Sequence, residues 1–184
     1  MTITPTTITL SKIAKTQLDQ TYIALQGILD KAAAHAADAG VDEAVYLGWR
    51  LAPDMFPLVK QVQLVTDFSV RGLSRLAGQE PTSLPDNELT FADLKARLEK
   101  AHAAISALPT EALDANPQDP ITFPAGRGKE LTLPRQAYVQ NFIIANVIFH
   151  ASMIYGILRG LGVSIGKGDF MGASALPVKD VEPA

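Results

Sequence analysis

Between Gln136 and Leu158 the chain carries no Asp, Glu, Lys or Arg for 23 consecutive positions. This run constrains the fold more than any other feature. As a helix rising ~1.5 Å per residue it is long enough to cross a bilayer core of ~30 Å. It also holds Gln136, Gln140, Asn141, Asn146, His150 and Ser152, a polar load that is costly in hydrocarbon. The alternative is a central helix covered on most sides by other helices of a soluble protein. The rest of the chain supplies enough amphipathic helix for that role. A buried central helix is therefore the expectation, and a membrane-associated protein the competing reading.

Three further segments carry helical periodicity. Leu10, Ile13, Ala14, Leu18, Leu25, Ile28, Leu29 and Ala32 recur at spacings of three, four and seven, which marks one face of a helix over about 10–37. Thr7 or Thr9 can cap its start, and Gly40 is a natural stop. Residues 41–51 are less regular. A second helix is expected from near Pro53 to Ala77, with Gly78 as terminator, because proline is tolerated in a first turn. Pro57 leaves room for a kink or a later start. Met55, Leu58, Val62, Val65, Gly72 and Leu76 give its inner stripe. The stretch 79–89, with Pro81 and Pro85, reads as a loop. Thr90 then caps a third helix, with Asp93 in a capping-box position, and the helix runs to Leu108 before Pro109.

The next segment changes character. Residues 121–123 and 131–133 read as two short strands around the glycine-containing turn Pro124–Gly128. Pro134 opens the fourth helix, about Arg135–Arg159, which Gly160 and Gly162 end. The tail from Val163 is expected to pack irregularly, with a free end after Pro177. The resulting expectation is an all-α fold: a four-helix bundle with a small β-hairpin insertion between the third and fourth helices. One domain spans 1–184, with about 173–184 as a loosely held tail.

Composition narrows the function. The 184 residues include no cysteine, which removes disulfides, thiolate metal sites and a cysteine nucleophile. A net charge of −3 with no basic run argues against nucleic acid as a partner. With 47% apolar and 19% charged residues the chain is globular rather than disordered. The N-terminus has neither a basic region nor an apolar core with a cleavage site, so cytoplasmic location is the expectation. Gly162–Gly168 is one residue short of a phosphate-binding loop and follows a helix rather than a strand, so it reads as a structural turn.

Several blocks of residues resemble a known group. They are Leu51-Ala-Pro-Asp-Met-Phe-Pro-Leu58 with Gln61-Val62, Arg75-Leu-Ala-Gly78, Leu89-Thr-Phe91, Asn146-Val-Ile-Phe-His150, and Tyr155-Gly-Ile-Leu-Arg159. Gly162-Val163, Ile165-Gly-Lys167 and Asp169-Phe170 follow. In this order, over nearly the whole chain, they resemble the DUF1993 family, a group of uncharacterised bacterial proteins that looks like a branch of the DinB/YfiT-like superfamily. The resemblance implies a four-helix bundle and a homodimer. It also implies a metal site built from one histidine of the second helix and a His-x3-His pair of the fourth, used by relatives described as metal-dependent enzymes, some of them thiol transferases.

The chain does not supply those ligands. Its histidines are His35, His102 and His150. A histidine pair four residues apart shares one helix face and clamps a metal. Here the pair is Asn146 and His150, and a neutral amide is a poor ligand for zinc or nickel. The second helix offers Asp54, Gln61, Gln63 and Asp67 instead of histidine. His35 and His102 are expected to be solvated surface residues. Arg50, Arg159 and Asp54 are expected in structural roles at helix ends.

His150, in the middle of the most apolar helix, is the candidate catalytic or ligand-binding residue. Gln61, Asn146 and Tyr155 are its expected companions. Burial would keep its imidazole neutral near pH 7. The leading expectation is a metal-free small-molecule-binding or interaction module, without cofactor, with a cleft near His150. The alternative is a DinB-like enzyme, a thiol transferase or hydrolase, using His150 with Asn146 and Gln61 and a weakly bound divalent metal on Asn146 and His150.

Overall fold

The computed structural model describes residues 8–126 and 128–172. The expected tail over 173–184 lies outside them. The described chain is mostly helical, with one two-stranded antiparallel sheet.

Helix α1 spans Leu10–Ala39. Thr9 Oγ1 accepts from the backbone N–H of Lys12, and Gly40 ends the helix at φ +62°, a left-handed conformation that glycine adopts without strain. A short helix, α2 (Glu43–Gly48), follows behind Asp42 as its cap. The next long helix, α3, is Leu58–Leu76 rather than a helix from Pro53. Both Ala52 and Phe56 precede prolines, and a residue before proline is pushed out of helical backbone. The intervening chain forms a loop closed by the N–H of Leu58 on the carbonyl of Trp49 at 2.8 Å. Helix α4 spans Phe91–Ser106, opened by the expected Thr90–Asp93 capping box. A four-residue turn, α5 (Thr110–Leu113), precedes the hairpin.

Strands β1 (Pro120–Pro124) and β2 (Glu130–Pro134) pair with Phe123 opposite Leu131 and Ile121 opposite Leu133. Alternation points Ile121 and Phe123 inward, and both are buried. Helix α6 then runs Arg135–Gly160. A last short helix, α7 (Lys167–Phe170), lies against α1.

The four long helices close a ring of contacts: α1 packs on α4 and α6, and α3 packs on α4 and α6. Leu18, Ile28, Leu29, Leu58, Leu73, Leu94, Leu98, Ile143 and Ile154 fill the space between them and are buried. Helix α6 is the one helix among the described residues long and apolar enough to cross a membrane. It is covered on one face rather than on most sides. Val139, Ile143, Val147, His150, Ala151, Ile154 and Leu158 are buried, whereas Ile148 and Phe149 are exposed.

The first half of α6 is a π-helical segment, Tyr138–Ile144. Through it the buried positions Arg135, Val139, Ile143 and Val147 recur every four residues. Gly72 of α3 faces this segment. A Cβ there would stand 2.8 Å from Ile143 Cγ1, so the close approach of the two helices requires glycine.

Candidate functional site

Helix α3 places Gln61 one turn inside its start, and α6 places His150 at its middle. Because the two helices pack together, the side chains meet. Gln61 is buried, and His150 is 7% exposed. His150 Nδ1 and Gln61 Oε1 are 2.7 Å apart. The direction of this bond follows from the amide. Gln61 Nε2 donates to the carbonyl of Phe56 at 3.0 Å, which turns Oε1 toward the imidazole as acceptor. His150 Nδ1 therefore carries the proton and donates, and Nε2 holds the free lone pair.

Nε2 has no hydrogen-bond partner among the described residues. Arg135 Nε is the one buried side-chain nitrogen or oxygen among them without a partner, so His150 Nε2 touches solvent. Aromatic rings frame the imidazole. Phe68 stacks on it with centroids 5.5 Å apart and 15° between planes, and Phe149 meets it edge-on at 5.1 Å. Burial lowers the imidazole's pKa below its ordinary 6.5, which keeps it neutral near pH 7. Chemically, the pair presents one oriented, neutral acceptor at the edge of an apolar wall.

The other expected companions stand apart from this pair. Asn146 lies one turn before His150, but its Nδ2 donates back to the carbonyl of Phe142 at 2.7 Å. Tyr155 packs edge-on against Phe170 of α7 at 5.8 Å. His102 is exposed, as expected, 2.9 Å from Asp19. His35 is not simply solvated: its Nδ1 lies 2.7 Å from the hydroxyl of Tyr46, tying α1 to α2. Arg50 is exposed, and Arg159 Nη1 reaches the carbonyl of Val163 at 3.4 Å, a helix-end contact.

A metal triad does not fit these side chains. Asn146 stands where the resemblance implies the first histidine of the α6 pair, α3 carries no histidine, and Gln61 and Asn146 are neutral amides already oriented by backbone carbonyls. Gln61 Oε1 is engaged by His150. Among the described residues no three His, Cys, Asp or Glu side chains converge on one point. This donor set offers one imidazole nitrogen and no carboxylate, too little for a transition metal.

Two features were missed by sequence reasoning. Arg97, on the inner side of α4, is 2% exposed. It binds Asp67 at 2.9 Å, Glu88 at 2.8 Å and Asp86 at 3.2 Å, and donates to Thr66 Oγ1 at 2.6 Å. The signal was an arginine three residues after Leu94 facing an acid-bearing loop. The second is a cavity of about 220 Å³ between α3, the π-helical segment and the hairpin. Phe68 forms part of its wall, so its ring separates the cavity from His150.

No curated protein matches the chain. The family model described as a domain of unknown function, DUF1993, matches residues 10–171. Among solved structures the chain is similar to a DinB family member protein from Shewanella denitrificans. The two share 33% identity over 94% of this chain and 96% of that one, with a TM-score of 0.82. A whole-length backbone match at that identity agrees with the family model and with the order of the sequence blocks. The chain belongs to the DUF1993 family, with a DinB family member as its structural relative.

Proposed function

We propose that the chain is a one-domain four-helix bundle of the DinB/YfiT-like type, working in the cytoplasm as a homodimer. In this reading it is a metal-free small-molecule-binding or interaction module, and its site is the His150–Gln61 pair. The observation that carries the reading is the fixed tautomer. Phe56 orients Gln61, Gln61 orients His150, and Nε2 is left as a solvent-touching acceptor. Phe56 and Phe149 are more than half exposed and border the pair, Phe56 through its carbonyl and Phe149 through its ring. One oriented polar atom beside exposed aromatic surface suits a small ligand or partner segment carrying a hydrogen-bond donor.

The same observation favours a second reading, a DinB-like enzyme of the thiol-transferase or hydrolase type. A neutral Nε2 with its ring held by a second group is equipped to take a proton from a bound thiol or water. Here Gln61 is the orienting group, and Asn146 lines the helix face one turn away. A weakly bound divalent ion belongs to this reading only, with Asn146 and His150 as its contacts.

Histidine-labelled ¹⁵N NMR at neutral pH tests the site. The expected result is a protonated Nδ1 and a lone-pair Nε2 for His150, with Nε2 shifting when fragments bearing a hydrogen-bond donor bind. Those fragments lose binding in His150→Ala. A proton on Nε2, or fragments that bind equally to the variant, would overturn both readings.

A further inference from the structure

The cavity beyond Phe68 has a chemistry of its own. Arg71 and Arg75 lie four residues apart on α3 and line the same cavity, as an i, i+4 pair on one helix face. Among the described residues neither has a carboxylate within 4.0 Å. Arg75 is held in place: its Nη1 donates to the Tyr138 hydroxyl at 2.8 Å, and its Cζ lies 5.9 Å from the centre of the Phe123 ring. One of its five N–H donors is thereby used. Tyr138 is fully buried, and burial raises its pKa, so the phenol stays protonated. Its oxygen accepts from Arg75, while its own proton has no acceptor among the described residues.

The remaining walls are aromatic. Tyr138 and Phe142 of the π-helical segment stack with centroids 5.5 Å apart and 12° between planes. Phe123 of the hairpin tilts against Phe142 at 4.5 Å, and Phe68 meets Phe142 edge-on at 5.7 Å. The one acid in the wall is Asp67, whose Oδ1 is taken by Arg97 at 2.9 Å. The cavity thus combines an excess of positive charge, unspent donors and flat apolar walls. Its volume of about 220 Å³ falls below the ~300–1,000 Å³ of drug-sized sites and suits one small ring.

We infer that this cavity is a binding site for a small aromatic carboxylate, with Arg71 and Arg75 on the carboxylate and Phe68 and Phe142 flanking the ring, while the buried Tyr138 hydroxyl holds Arg75 in place. A guanidinium binds a carboxylate through parallel N–H donors, which gives geometry as well as attraction. The inference does not rest on the function proposed for His150, which lies on the other side of the Phe68 ring.

Isothermal titration with three probes tests it: benzoate, its neutral isostere benzamide, and acetate. Benzoate is expected to bind saturably, and the other two about ten-fold more weakly or less. Arg71→Gln and Arg75→Gln are each expected to weaken benzoate about ten-fold. Arg71 is exposed, so its variant keeps the fold even if loss of the Tyr138 contact disturbs Arg75→Gln. Absence of benzoate binding, equal binding of benzamide or acetate, or no effect of Arg71→Gln would each overturn the inference.

Discussion

An imidazole and a primary amide hold each other in place at positions 150 and 61, and the amide is itself held by the Phe56 carbonyl. The consequence for stability has a definite sign. Burial lowers the pKa of His150, so the unfolded chain binds this proton more readily than the folded one. The contribution is fully present above the unfolded value of ~6.5 and is lost as pH falls through the lower folded value. His150→Gln retains an N–H donor for Gln61 and removes the titration. Urea midpoints measured from about pH 7.5 to pH 5 should fall less steeply in the variant than in the parent. Parallel slopes would show that His150 does not carry the pH dependence. His150 was legible in the sequence because a titratable group stood in an uncharged run. Gln61 was legible as a polar residue on the facing helix. The separate fates of Asn146 and Tyr155 were not, because a helix position fixes a face but not which carbonyl or ring a side chain finds there.

The elements carry their own constraints. Gly72→Ala drives a methyl group against Ile143, and overpacking of this kind costs about 1–3 kcal/mol. In an Ile143→Ala background the methyl has room, so the cost should fall toward zero; denaturant unfolding of the four proteins measures the coupling. An undiminished cost would mean that Gly72 matters through backbone freedom and not through contact. Arg97 binds the 79–89 loop to α3 and α4. Arg97→Met leaves Asp67 and Glu88 without their cation and should cost about 3–5 kcal/mol, with faster proteolysis in that loop. The helices at 10–39 and 91–106 were readable from spacing and caps, and the hairpin from its two apolar dyads and turn glycines. The start of α3 was legible only as a choice between Pro53 and a later start at Pro57, both acceptable first-turn residues, and the loop bond from Leu58 to Trp49 goes with the later one. The π-helical segment escaped because the four-residue step of its buried positions also runs through the regular helix α1.

For the whole molecule, the proposal combines a homodimer with a bundle that has replaced metal ligands by neutral hydrogen-bonding groups. Sedimentation equilibrium should return a mass near twice 19.7 kDa at micromolar concentration, and a single-chain mass would refute the dimer. The overall architecture was the most legible level, since block order, helix count and hairpin position all pointed to one arrangement. The function was the least legible, because residue types on a helix face do not fix which ligand they meet. The most direct test of the metal-free reading is elemental analysis of the native protein purified without chelator. The expected result is far less than one equivalent of zinc, nickel, manganese or iron per chain, unchanged in His150→Ala. A metal content near one per chain that disappears in His150→Ala would contradict it.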